Sequence, residues 1–416
     1  MTAKAKQILS PTPLFDSIQY MDWDCAYKNN KFVCAEKNYK YARNFLHCYK
    51  DNIQTFNAYR REIERYLSWC CFIANKSILE IRGAQFEDYV RFCLSPPLSW
   101  IGLKKPPRFI DKDGLRIANP EWRPFVATTT KAAYRKGTCP EKSCYSLSQK
   151  ALQEIFAIIS SFYNYLIQEN IAQINPVAQI RQKSKFLRKQ QTKSKIRRLS
   201  EKQWRYVFET AESMAEQNPQ KHERTLFIIT ALYAMYLRIS ELTATKRWMP
   251  AMNNFAKDHN GFWWFTTIGK GNKERQIAVS DTMLEALKRY RNYLNLTPLP
   301  SPSDSTPLLC KLSNNDPITS STYIREIVQE CFDLAITKLQ NEKFKEEADE
   351  LMNATVHWLR HTGISDDVKH RPREHVRDDA GHSSSAITDK YIDVELRARH
   401  ISAKNKSIKP DNESIT

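Results

Sequence analysis

Apolar positions at helical spacing cover most of the first half of the chain. Tyr59, Ile63, Tyr66, Leu67 and Cys70 recur at intervals of three and four, within a stretch (40–94) that reads as helices throughout. Pro96, Pro97, Pro106, Pro107, Pro120 and Pro124 break the pattern, with basic and aromatic residues between them, so 95–145 is expected to be a long insertion or extended connection. Helix resumes at 147–170, where Leu152, Ile155, Phe156, Ile159, Phe162, Tyr163 and Leu166 form one stripe that ends before Asn175-Pro176.

A basic run then interrupts the periodicity. Arg181, Lys183, Lys185, Arg188, Lys189, Lys193, Lys195, Arg197 and Arg198 follow one another with no acid among them. Such a block cannot pack in a core and repels itself into an extended form, so it predicts a linker between two domains. Beyond it, Ser200 with Gln203 three residues on predicts a capped helix start. Residues 225–237 read as an apolar helix. The period changes at 262–279, where two alternating runs flank Gly269-Lys270-Gly271-Asn272-Lys273, which predicts a hairpin. Helices follow at 281–296 and from about 320 to 350 and beyond, separated by a Pro/Ser-rich loop at 297–307. The polar tail from 404 to 416 is expected to be disordered.

Composition sharpens the picture. The 416 residues are 41% hydrophobic and 11% aromatic, enough for two cores and against disorder as a whole. Lys and Arg outnumber Asp and Glu by 64 to 46, a net charge of +18. A surplus of that size suits a polyanion such as nucleic acid, because each phosphate neutralised releases condensed counterions. No apolar run is long enough to span a bilayer, and no amino-terminal apolar segment reads as a signal peptide. The ten cysteines are scattered, and Cys48, Cys70, Cys71 and Cys331 fall within apolar helical patterns, as expected of reduced, buried thiols in a cytoplasmic protein. Cys139 and Cys144 could form half a zinc site, but no second pair stands at a matching distance, and plain thiols are the expectation.

Four segments carry candidate chemistry: Arg238-Ile239-Ser240-Glu241, the turn holding Lys270, His357-Trp358-Leu359-Arg360-His361, and Gly381-His382 with Tyr391 nine residues after the histidine. Singly, each has a plain structural reading. Arg238 and Glu241 could be a helix-surface ion pair, Lys270 a solvated turn residue and Tyr391 a packing residue, while His357 and His361 share the spacing of two zinc ligands. A zinc hydrolase is disfavoured, because Trp358 stands where the general-base glutamate would follow the first histidine.

Taken together and in order, these boxes resemble the catalytic domain of the tyrosine recombinases, the phage integrase family that includes the Xer recombinases, lambda integrase and Cre. The resemblance is detailed over about 195–400 and holds only in kind before that. It implies a mainly α protein with a small β-hairpin sheet. An amino-terminal extension (1–37) would precede a helical DNA-binding core domain (38–180, with the insertion at 95–145). The basic linker (181–198) would join it to a catalytic domain of the DNA breaking-rejoining fold (199–403), the two domains clamping duplex DNA.

Implied, too, is site-specific recombination through a 3′-phosphotyrosine, with Tyr391 as nucleophile and no metal, ATP or other cofactor. Arg238 and Arg360 would hold the scissile phosphate, since guanidinium donors match phosphate in pairs. Lys270 would supply the leaving-group proton, His357 would act as base or relay, His382 would donate to the phosphate, and Glu241 would orient the arginines. Lys183, Lys185, Arg188, Lys189, Lys193, Lys195, Arg197, Arg198, Lys273 and Arg275 are candidate DNA contacts. Partners would be double-stranded DNA and three further copies in a tetramer, docked through the segment after Tyr391 (Val394, Leu396, Ile401), with accessory DNA-bending or directionality proteins. The setting would be the bacterial cytoplasm, at the nucleoid, on a mobile element. A type IB topoisomerase-like activity and a non-catalytic DNA-binding regulator are the alternatives.

Two departures stand out. Met235-Tyr236-Leu237 occupies a place where the family often has Thr-Gly-Leu. Residues 366–375 are strongly polar and interrupted by Pro372, where an apolar helix is usual.

Overall fold

A computed structural model describes residues 10–21, 36–181, 186, 197–269, 273–392 and 403–404. The chain divides into two compact units, Met1–Thr192 and Lys193–Thr416. The division falls inside the basic stretch.

The first unit is built on α1 (Glu36–His47), α2 (Ile53–Trp69), α3 (Gly83–Leu94), α4 (Lys131–Arg135), α5 (Gln149–Gln168) and α6 (Pro176–Arg181). Its core is strongly aromatic. Phe45, Tyr66, Phe86, Tyr89, Phe156, Phe162 and Tyr163 are all buried. Two of its phenols are satisfied in a chain, Tyr66 to Tyr163 at 2.6 Å and Tyr163 to the Ile78 carbonyl at 2.7 Å, while the buried Tyr89 hydroxyl has no hydrogen-bond partner among the described residues.

The proline-rich stretch is more than a connection. It holds β1 (Ile101–Gly102), β2 (Phe109–Lys112), β3 (Leu115–Ala118) and β4 (Phe125–Val126). β1 pairs parallel with β4, and β2 with β3 is an antiparallel hairpin in which Ile110 faces Ile117. Asp113 and Gly114 both have positive φ at its turn (53° and 73°), the Asp-Gly solution for a two-residue hairpin loop. Trp100, Ile101 and Phe125 from this stretch lie in the same core as the helices. The aromatic residues that punctuate the prolines are therefore core residues on short, irregular elements, which periodicity does not detect.

In the second unit α7 (Glu201–Gln217), α8 (Pro219–Ala234) and α9 (Ile239–Leu242) precede a three-stranded antiparallel sheet, β5 (Phe255–Lys257), β6 (Trp263–Ile268) and β7 (Glu274–Ala278). Then come α10 (Asp281–Tyr293), α11 (Ser321–Asn341), α12 (Lys345–Leu351), α13 (Val356–Asp367), α14 (Arg373–Ala380) and α15 (Ser385–Ile392). Ser200 and Gln203 close the expected capping box on α7. β6 and β7 form the expected hairpin, with Phe265 opposite Ile277 and also opposite Phe255 of the added edge strand. All three of those side chains are buried against the helices. α8 is buried on nearly every side from Leu226 to Leu232 and forms the centre of the unit.

Against α8 lies α13, so close that a Cβ on Gly363 would come within 2.0 Å of the Tyr233 carbonyl oxygen. Only a glycine admits that approach, and it sets the height at which α13 presents its own functional face. Of the cysteines expected to be buried, Cys70 and Cys331 are, Cys71 is half-buried, and Cys48 is exposed at the end of its helix. No helix among the described residues is long and apolar enough to cross a membrane.

Candidate active site

α8 ends at Ala234, and the chain turns sharply before α9. Tyr236 makes that turn with φ at 49°, a left-handed conformation that costs a side-chain-bearing residue about 1 kcal/mol or more. Here the ring is fully buried, and its hydroxyl donates to Asp367 and accepts from Arg371 Nη1 at 3.0 Å. The turn aims the Tyr236 carbonyl inward, where it accepts a hydrogen bond from Arg360 Nη1. It also delivers Arg238 to the amino-terminal cap of α9, with its backbone N–H donating to Glu241 Oε2 at 2.7 Å.

The carboxyl end of α14 provides the second half of the frame. A helix ends with unpaired carbonyls and partial negative charge, and here guanidinium groups meet them. Arg275 Nε donates to the Asp379 carbonyl at 3.0 Å, Arg360 Nη2 to that of Ala380, and Arg238 Nη2 to that of Gly381 at 3.2 Å. Gly381 closes the helix with φ at 62°, and a Cβ there would stand 2.8 Å from Arg275 Cδ. Both the conformation and the close approach call for glycine.

Glu241 is fully buried between two of the three arginines. It accepts from Arg238 Nη1 at 3.0 Å and from Arg275 Nη2 at 2.9 Å. Burial alone would raise its carboxyl, but Arg275 and then Arg238 outweigh that and hold it below the usual glutamate range. Arg360 is also buried, and burial together with the Arg238 and Arg275 cations pulls it down to about 9. The cluster therefore carries more cation than anion and presses for a further negative group. Arg238 is the arginine with room to meet one, its side chain 26% exposed.

Helical spacing puts His357 and His361 on one face of α13, with ring centroids 4.2 Å apart and edge to face. Partial desolvation, then Arg360 and Arg238, lower His357. Tyr391 comes from α15, and its side chain is nearly buried. Its hydroxyl is hydrogen-bonded to His361 Nδ1, and its ring lies nearly parallel to His382 at 5.8 Å. Burial pushes the phenol up to about 12, against the pull of Arg360 and Arg238. His382 is fixed through Nδ1 to Thr388 Oγ1 at 2.9 Å. Burial followed by the three arginines lowers it to about 4, and burial followed by His357, Arg360 and His382 lowers His361 to about 3.

Arg238, Glu241, His357, Arg360, His382 and Tyr391 thus gather in one place. Lys270 lies outside the described residues, as do Lys183, Lys185, Arg188, Lys189, Lys193, Lys195, Val394, Leu396 and Ile401. Arg197 and Lys273 are exposed, and Arg198 sits 3.9 Å from Asp366. Arg275 is a correction. Expected on DNA, it is turned inward at 10% exposure, locked on Glu241 and the end of α14, and braces the arginine cluster. Two residues from the buried Ile277, it lies on the same face of β7, and β7 packs there on α14.

Sequence reasoning weighed His361 only as a zinc ligand and did not single out Thr388, Asp379 or Arg371 as functional. Asp379 is buried, receives Ala278 N–H at 3.2 Å and binds Arg371 Nη2 at 2.6 Å. The polar 366–375 stretch is thereby explained: its charges serve Tyr236, Tyr233 and Asp379. Only a small apolar cluster of Tyr236, Ile364, Val376, Ala380 and Tyr391 remains to be filled. Cys139 and Cys144 are exposed thiols, and no group of three or more metal-ligating side chains occurs among the described residues.

Residues 197–397 match the phage integrase family. Tyrosine recombinase XerD of Rickettsia prowazekii (strain Madrid E) is 32% identical over 145 residues, which are 35% of this chain and 43% of that protein. XerD of Rickettsia bellii (strain RML369-C) is 28% identical over 157 residues, 36% of this chain and 48% of the relative. The matches therefore span less than half of either relative. The XerH site-specific recombinase in its post-cleavage complex with palindromic difH superposes over 97% of this chain and 99% of that one, with a TM-score of 0.55 at 14% identity. Its pre-cleavage complex with difH covers 95% and 99%, with a TM-score of 0.50 at 14% identity. At such identity the likeness is one of fold.

Proposed function

Residues 197–397 belong to the phage integrase family, the tyrosine recombinases, and from that premise we propose that this chain is a site-specific DNA recombinase whose nucleophile is Tyr391. The observation that carries the reading is the placement of the Tyr391 phenol beside His361, His382 and a cluster with more cation than anion. A phosphodiester brings the missing negative charge. Arg238, and Arg360 behind it, stabilise the charge that builds on the non-bridging oxygens. The Tyr391 oxygen attacks phosphorus and displaces the 5′ oxygen, whose proton comes from Lys270. The product is a 3′-phosphotyrosine that conserves the bond energy, so rejoining requires no ATP. His382 donates to the phosphate through the nitrogen that Thr388 leaves open, and His357 relays protons.

The net charge of +18 suits a duplex partner. Region 38–180 serves as the DNA-binding core domain and 181–198 as a linker along the phosphates. Four copies act together on two sites, with accessory DNA-bending proteins, in the cytoplasm of a bacterium and on its nucleoid, in the service of a mobile element.

The test is covalent trapping. Nicked duplexes from the DNA flanking the gene are incubated with wild type and with Tyr391→Phe, in excess chelator, and run on a denaturing gel. A protease-sensitive adduct with wild type alone is expected. An equal adduct with the phenylalanine variant, or binding of duplex without any adduct across the family's known sites, would refute the reading.

A further inference from the structure

The hydrogen bond between His361 and Tyr391 has no part in the scheme above. His361 stands next to Arg360 on α13, and its Nδ1 meets the Tyr391 hydroxyl. The edge-to-face contact with His357, 4.2 Å between centroids, holds the imidazole in place from the other side. Surrounded by His357, Arg360 and His382, it stays neutral at any working pH. A neutral imidazole has one donor and one acceptor nitrogen. With Nε2 carrying the hydrogen, Nδ1 accepts, and the phenol donates.

The alignment matters because the rest of the Tyr391 surroundings is contact without direction. Its ring stacks on His382, and the apolar cluster encloses it, but neither fixes where the oxygen points. The oxygen lies on the χ2 axis, so its position follows χ1 and the backbone, and the O–H torsion sets where its proton points. A hydrogen bond at the tip holds both, and an error of about 1 Å in a reacting atom can cost on the order of a hundredfold in rate.

We propose that His361 is the positioning residue for the nucleophile: its Nδ1 accepts the Tyr391 hydroxyl hydrogen bond and holds the phenolic oxygen beside the arginines until the phosphate arrives. The inference rests on the recombinase reading. On cleavage the Oη–P bond forms and the P–O5′ bond breaks. His361 keeps the oxygen in place while the phenol proton passes to His357, the relay in the recombinase scheme, the 5′ oxygen takes its proton from Lys270, and rejoining reverses both transfers.

Two substitutions separate this role from packing. His361→Asn keeps an acceptor near the Nδ1 position and loses ring volume. His361→Phe keeps the ring and loses the acceptor. Single-turnover adduct formation on the nicked duplex is measured for each, with duplex affinity and melting temperature alongside. The expected result is a loss of about ten- to hundredfold in rate for His361→Phe, recovery of most of the rate in His361→Asn, and unchanged affinity for both. Were the phenylalanine variant to melt lower, His361→Leu, equally unable to accept, would take its place.

Equal rates in all variants, or a phenylalanine variant faster than the asparagine one, would overturn the proposal and leave His361 as packing. Wild type that binds duplex but forms no adduct would overturn the phosphotyrosine reading itself, and this inference with it.

Discussion

Glu241→Gln removes the one carboxylate that lies between Arg238 and Arg275. The two salt bridges involve a glutamate at 1% side-chain exposure and arginines at 26% and 10%. Taking one partner out of a buried pair costs about 3–5 kcal/mol, because the charge left behind keeps its desolvation penalty. Glutamine restores one acceptor but turns an N–H toward a guanidinium, and Arg238 is partly wet, so the lower end, about 3 kcal/mol, is expected. For a unit of this size that lowers the melting temperature by roughly 6–12 °C.

The pH dependence has a definite sign. Glu241 is held below its unfolded value, so its stabilisation is complete above the ordinary glutamate pKa of about 4.3 and lost as pH falls through the folded value. Thermal unfolding of the full chain, followed by the transition of the second unit, should show the full gap between wild type and variant at pH 7 and a narrowing gap below about pH 4. An excess of duplex should recover part of it at pH 7, since backbone phosphates replace the missing anion. A variant as stable as wild type at pH 7, or a gap that widens on acidification, would refute the view that Glu241 holds the arginines as an ionised clamp.

Gly381→Ala forces a Cβ into a left-handed position 2.8 Å from Arg275 Cδ; a loss of about 1–2 kcal/mol in thermal stability should accompany a slower adduct rate, and a neutral outcome would contradict the geometry. Thr388→Val leaves His382 without its partner at 2.9 Å, so cleavage should fall by about tenfold with duplex affinity unchanged, measured by the same trapping assay. In the DNA-free protein, His382 at about 4 and His361 at about 3 should show no titration between pH 5 and 8 when followed by proton resonances, because burial and neighbouring cations disfavour their charged forms; a midpoint near 6.5 for either would count against the described packing.

Much of this molecule is legible in its sequence, and the limits are informative. The α7 cap, the β6–β7 hairpin and the α5 stripe follow from local rules, since Ser200, the Gly269–Lys273 turn and the Leu152–Leu166 spacing act within a few residues of themselves. Four ordered boxes likewise point to Arg238, His357, Arg360, His382 and Tyr391, because phosphate chemistry needs those groups wherever the chain places them. Long-range facts do not show. Edge strand β5 is three residues long and exists only by pairing with β6. Trp100 and Phe125 look like loop residues because one ends a three-residue 3-10 turn and the other sits on a two-residue strand. Arg275 looks like a DNA contact because nothing near it in sequence reveals that α14 covers β7. His361 lies inside a recognised box, yet its role depends on a tyrosine thirty residues away.

The turn at Tyr236 carries a consequence for how this chain can vary. A left-handed tyrosine is tolerable only while its hydroxyl is held by Asp367 and Arg371, and Arg371 in turn leans on Asp379. These four positions form a single heritable unit. Placing glycine at 236 would ease the backbone and at the same time leave a void and remove the hydroxyl that bridges the Asp367–Arg371 ion pair, so the change is not neutral. Homologues with glycine at this turn and homologues with tyrosine should therefore be separated by a fitness valley, crossed only when the acidic end of α13 changes with it.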